Sequence, residues 1–247
     1  MSIPKNKLSI DITYDFRTDS PPLEDPDRYS ETLKEYHKRL WDKPLPNGQD
    51  FHLDDEDDGC NHLYHNSDLG EYRLSSDTMI NTFYGLTWMG INNITEQIPE
   101  NDYEEFVHIS NTIGNRILFP HNKINGKSTI NVQRWNDENI KDRFDLTLEC
   151  IRRYYKGIDS PLEDTIQRYD NFFKLFTDFK GYCEFFLLQD FVSDGYSSIK
   201  YILPFTDFDI NPLPTTLDQF LLYKSNSIEF INNRNKRIQD YIIQNQK

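Results

Sequence analysis

The chain has 247 residues, of which 36% are hydrophobic, and a net charge of −14. That length holds one large domain. With no stretch near the roughly 18 apolar residues that span a bilayer, and no apolar run behind the N-terminal lysines, neither a membrane span nor a secretory leader is expected. Three widely spaced cysteines, Cys60, Cys150 and Cys183, make a poor disulfide framework and imply a reducing, cytoplasmic setting. The charge is uneven. Residues 1–110 hold 23 acidic and 9 basic side chains and so carry the whole net charge, while residues 111–157 hold nine basic against five acidic ones. An acidic protein with one basic strip suits a small anion better than a duplex, whose binding rests on many phosphate contacts.

Leu8 to Tyr14 alternates apolar and polar residues and predicts a strand. A proline-rich loop follows, and then a helix from Tyr29 to Trp41 with Leu33, Tyr36 and Leu40 on its apolar stripe. Phe51–Leu53 and Leu63–His65 flank an acidic hairpin tip, Asp54 to Gly59, and Glu71–Leu74 reads as another strand. The stretch from Asp77 to Met89 is ambiguous. A helix runs from Asn101 to about Thr112. Arg116–Pro120 and Ser128–Val132 look like a strand pair around the turn Asn125-Gly126. Beyond it the pattern turns helical over 138–156, about 162–177 (Ser160 as cap, Pro161 first, Glu163 closing a capping box) and 181–192. Ser197–Leu203 reads as a late strand, and Thr216 opens a long amphipathic C-terminal helix. The expected fold is α+β in a single domain, 1–247. A small antiparallel sheet comes mainly from a strand-rich acidic part, 1–135, and packs against a helical part, 136–247.

Candidate chemistry centres on the helix predicted over 138–156. Phe144, Leu148, Ile151 and Tyr155 share one face at 100° per residue, and Asp142, Asp145, Glu149, Arg152 and Arg153 gather opposite. In one reading Asp142, Asp145 and Glu149 are the catalytic acids or bases, while Lys127, Asn131, Arg134, Arg143, Arg152 and Arg153 hold an anion near the helix start. In the other, Glu149 simply pairs with Arg152 and Arg153 on a solvated surface. Cys60-x-His62-x-x-His65 with His52 matches no common zinc spacing. The acidic tip lacks the last ligand of a calcium loop, since His65 stands where glutamate is needed. No metal set and no cofactor are therefore assigned. Neither Cys150 nor Cys183 has a sequence-adjacent histidine, and both read as small hydrophobes. The aromatics of 154–186 recur at three- and four-residue steps, which points to a packed layer rather than a base-stacking platform.

Five segments together resemble a family of bacterial proteins of unknown function: Leu40 to Gly48, Leu63–His65, Leu74–Asp77, Asp142 to Tyr155 and Phe185 to Asp190. The likeness spans roughly residues 10 to 210 and brings no activity or catalytic residue with it. Two functional expectations stand. In the first, region 123–153 binds or processes a phosphorylated small molecule or a nucleic-acid end. In the second, a non-catalytic interaction protein of the defence or anti-defence type engages a basic protein partner through its acidic half. The C-terminal helix is a third candidate surface, for assembly; oligomeric state is left open.

Overall fold

A computed structural model describes residues 10–56, 60–83 and 90–245, without the side chain of Asn92. In chain order its elements are α1 (Pro26–Tyr29), α2 (Glu31–Trp41), β1 (Lys43–Pro44), β2 (Asp50–Phe51), β3 (Asp54–Asp55), β4 (Leu63–Ser67), β5 (Gly70–Thr78), α3 (Asn92–Thr95), α4 (Glu100–Ser110) and β6 (Arg116–Pro120). Then come α5 (Ile130–Asn136), α6 (Phe144–Lys156), α7 (Glu163–Arg168), α8 (Asp170–Lys174), α9 (Phe179–Phe185) and α10 (Leu217–Asn245). The fold is α+β: strands lie in the N-terminal half, and a long helix closes the chain.

The main sheet is antiparallel, in the order β3-β4-β5-β6, and β1 and β2 form a separate two-stranded ribbon. Its centre is β5, whose Leu74 pairs with Pro120 and whose Thr78 pairs with Arg116. Every residue of β6 is buried, so this strand is covered on both faces and its apolar run is continuous rather than alternating. On one side lies an aromatic layer. Phe172, Phe176, Tyr182, Phe185 and Phe186 touch ring to ring at centroid separations of 4.9–5.3 Å, edge-on or tilted as ring quadrupoles prefer. The predicted packed layer is therefore core. Cys150 and Cys183 are buried with it; burial pushes the Cys150 thiol up to about 12, which leaves it inert.

Along its buried stripe of Phe220, Tyr223, Ser227, Ile231, Arg234 and Ile238, α10 packs against the chain. It lies across the 3₁₀ turn Ile113–Asn115, where Gly114 is required. A Cβ there would stand 2.5 Å from the Ile231 carbonyl oxygen and 2.6 Å from Asn235 Oδ1, which itself accepts the Gly114 N–H at 2.6 Å. Gly114→Ala should therefore lower stability by about 1–3 kcal/mol, the usual cost of overpacking. Thermal unfolding checks this, and an unchanged midpoint would contradict the close packing.

Several predicted elements differ. Residues 10–14 turn rather than extend, because Asp11 Oδ1 accepts from both the amide and the hydroxyl of Thr13; Leu8 and Ser9 lie outside the described residues, as do 57–59 of the acidic tip and 84–89 of the ambiguous stretch. The turn Asn125-Gly126 forms, with both residues at positive φ. Its second flank is helix, however: Thr129 caps α5 by accepting from the Val132 N–H, and β6 pairs with β5 instead. The helix expected from residue 138 begins only at Phe144, because Lys141 and Asp142 are both left-handed. The segment 162–177 divides into α7 and α8, and α7 starts at Glu163 with no side-chain cap. Of the late strand only the bridge Val192–Ile199 exists.

Candidate functional site

At the end of the sheet where β5 finishes and β6 starts, a cleft of about 750 Å³ opens between α1, α5 and the turn before α6. Its polar wall comes from six places in the sequence: Asp25 at the start of α1, Asp77 on β5, Asn111 after α4, Arg116 on β6, Asn131 on α5 and Asp142 before α6. Val132 and Trp135, one turn apart on α5, give it an apolar side.

Two arginines organise the carboxylates. Arg134 is fully buried and spends all its donors: Nη1 reaches Asp77 and the Thr78 carbonyl, Nη2 the carbonyls of Met79 and Asp142, and Nε the Thr147 hydroxyl. Asp142 Oδ1 lies 3.2 Å from the same Nη1, and its other oxygen accepts from Asn81 Nδ2 at 2.9 Å. One guanidinium thus serves two carboxylates in a desolvated place. Burial raises the pKa of both Asp77 and Asp142; Arg134 opposes the rise, and the neighbouring carboxylates add to it. Asp77 is pushed up to about 7, so the pair holds a proton into the neutral range.

Arg116 is the second. Its Nη1 donates to Asp27 at 2.9 Å and also to the Thr78 hydroxyl, and its Nη2 donates to Asn111 at 2.7 Å. Behind Asp27 runs a buried relay. Trp41 Nε1 donates to His37 Nδ1 at 3.0 Å, so the ring proton sits on Nε2, which donates to the Ser76 hydroxyl at 2.9 Å; Ser76 in turn donates to Asp27 at 2.5 Å. Burial, with Arg234 and Arg116 near, drives His37 down to about 3. It stays neutral, holding Ser76 and hence Asp27 in place. Two polar atoms of cleft residues, Arg116 Nε and Asn131 Oδ1, are shut away from solvent and have no partner.

Of the residues expected from the sequence, Asn131 and Asp142 line this cleft and Arg134 braces it. The others lie elsewhere. Lys127 is exposed on its turn. Asp145 is fully buried in an ion pair with Arg143 and accepts the Ile202 N–H at 2.9 Å, while Arg143 donates to the Pro212 carbonyl. Glu149, 2% exposed, is held by Arg152 and Arg153, which lower its pKa against burial. The polar side of α6 thus fastens the segment 197–212 rather than opening on a recess. Asp25, Asp77, Asn111 and Arg116 escaped sequence reading. The available signals were a charge heading an apolar strand at Arg116 and the polar run Ser75-Ser76-Asp77 inside a strand. His65 stacks on Phe51 at 4.1 Å and His62 on His121 at 4.4 Å; among the described residues no three Asp, Glu, His or Cys side chains group as metal ligands.

The proton held by Asp77 and Asp142 gives a measurable signature. The folded Asp77 carboxyl keeps its proton to about pH 7, whereas an unfolded one loses it near ~4. Folding takes up a proton in between, so this stabilising contribution is full below the unfolded value and is lost as pH rises through the folded one. Asp77→Asn leaves Arg134 with one carboxylate and should remove that slope, on the order of 2 kcal/mol. Urea unfolding at about pH 5 and about pH 8 measures it; equal slopes in variant and parent would show that Asp77 is ionised throughout.

A family model described as a family of unknown function (DUF6994) matches residues 10–238. The chain belongs to this family. No curated protein and no solved structure matches it. The matched span takes in every residue of the cleft wall. Among the described residues, no helix is long and apolar enough to cross a membrane.

Proposed function

We propose that this protein binds a small polar molecule in the cleft at the end of β5 and transfers a proton to or from it through the Asp77–Asp142 pair. The observation that carries the reading is the pair itself: two carboxylates on one wall share a single guanidinium that has no donor left. Structural ion pairs are usually matched in charge; an unmatched pair that holds a proton near neutrality suits general acid–base work. A volume of about 750 Å³ lies within the range of ligand pockets. Of the region 123–153, Asn131, Val132, Trp135 and Asp142 line this cleft, and the rest of its wall comes from β5, β6 and the segments around α1 and α4.

Val132 provides the test, since it is 44% exposed on the cleft's apolar side and can be enlarged without disturbing the core. A metabolite panel is screened by thermal shift against the parent and Val132→Trp. Compounds of the right class should raise the parent's unfolding midpoint and lose most of that effect in the variant. A panel in which no compound distinguishes the two proteins would remove the cleft as a binding site.

A further inference from the structure

We infer that the cleft takes a small organic cation that also bears hydroxyl groups, an amino sugar or a similar hydroxylated amine. The inference rests on the binding role proposed above and names its ligand. Charge decides the class. Asp25, Asp77 and Asp142 stand on the wall with Asp27 just behind, and among the described residues only Arg116 and Arg134 face them and no lysine lines the space. Neither arginine is disposed to receive a phosphate. Arg134 is buried with every donor engaged, and Arg116 already gives Nη1 to Asp27 and Thr78 and one Nη2 hydrogen to Asn111, with its Nε shut from solvent. A phosphoryl group would thus meet the carboxyl groups of Asp25, Asp77 and Asp142 against the one spare Nη2 hydrogen of Arg116. An ammonium group instead meets an excess of carboxylate in a place where its own desolvation is compensated.

The remaining features describe the rest of the ligand. Ser110 and Asn111 bring a hydroxyl and an amide to the same wall, and a ligand hydroxyl can donate to or accept from either. Val132 and Trp135 bound the space on its apolar side, where the carbon skeleton of the ligand packs. Asp25 is exposed at the mouth. It caps α1 by accepting the Asp27 N–H at 3.0 Å, a role asparagine also fills.

The test uses three probes with one ring and different charge: glucosamine, glucose and glucose 6-phosphate, titrated calorimetrically into the full chain at about pH 6, where the amine is protonated. Glucosamine should bind, and glucose should bind about tenfold more weakly. Glucose 6-phosphate should not bind. Repeating the glucosamine titration near about pH 7 in two buffers of different ionisation enthalpy should show proton release, because a bound cation favours the ionised Asp77. Asp25→Asn, which keeps its cap, should weaken glucosamine about tenfold and leave glucose unchanged. The inference is overturned if the phosphate ester binds tightest, or if glucosamine does not bind at millimolar concentration. It is also overturned if glucosamine binds equally to the parent, Asp25→Asn and Val132→Trp, since that marks general attraction to an acidic surface. The failure stays separate from that of the binding role, because anionic or neutral compounds blocked by Val132→Trp would keep the cleft and discard only the cation.

Discussion

Arg234→Met is expected to cost the fold about 4 kcal/mol or more, enough to take a marginally stable chain to the edge of unfolding. Arg234 is fully buried on α10 and, among the described residues, pairs with no carboxylate. Its guanidinium instead donates to five backbone carbonyls, those of Ile113, Gly114, Arg116, Phe186 and Leu187, with the Trp41 ring 5.8 Å from its carbon. Burial pushes its pKa down, yet a guanidinium surrounded by carbonyl oxygens remains charged. Methionine preserves the apolar stem and much of the volume, so the loss comes from polar groups stranded without donors, each costing about 1–3 kcal/mol less whatever water recovers. The carbonyls belong to two segments far apart in sequence, the start of β6 and the end of α9, so the variant also uncouples the sheet from the aromatic layer. Arg234→Lys keeps the charge but replaces a planar fork with a point donor, and should recover only a minority of the loss. Urea unfolding with a common slope measures both. A methionine variant within about 1 kcal/mol of the parent would show that the carbonyls find other partners.

The same residue shows where sequence reading stops. The helix Leu217–Asn245 was legible because its apolar positions repeat at helical spacing, and so were α2, α4 and the strand at Arg116–Pro120. Nothing local distinguishes Arg234 from the exposed arginines of an amphipathic helix; its partners lie 47–48 and 118–121 residues upstream. On α6 the pairing of Glu149 with Arg152 and Arg153 is legible in the sequence, and its burial is not. Asp145, Glu149 and Arg152 read as a face turned to water or to a ligand, and periodicity cannot reveal that residues 197–212 lie over it, with Ile202 and Pro212 supplying the matching backbone groups. The cleft was half legible. Asn131, Arg134 and Asp142 lie close in sequence and were singled out together, but the wall is completed by Asp25, Asp77 and Arg116, which only the pairing of β5 with β6 and the packing of α1 bring near. The strand predicted at Ser128–Val132 failed because a capping threonine outweighs β-branched content at a helix start. That failure mattered, because α5 is what carries Arg134 to Asp77.

Arg134→Met should destabilise the protein by about 3–5 kcal/mol at neutral pH, through a different mechanism. Here the residue left behind is a pair of carboxylates, Asp77 and Asp142, facing each other in a desolvated wall with no cation. Both already have raised pKa values, and without Arg134 each rises further. A carboxyl whose folded pKa exceeds its unfolded one contributes stability in acid and loses it as pH climbs. The deficit of the variant should therefore be smallest near about pH 5 and grow steeply toward about pH 8. Adding Asp77→Asn and Asp142→Asn to Arg134→Met removes the stranded charges and should restore more than half of the neutral-pH loss, since a neutral replacement of a whole buried cluster is far less costly than breaking it. What stays lost is the tie to the carbonyls of Thr78 and Met79. A deficit independent of pH, unrelieved by the two asparagines, would mean that Arg134 serves chiefly as a backbone clamp like Arg234. Asp77 and Asp142 would then lack the shared proton on which the cleft's proposed chemistry depends.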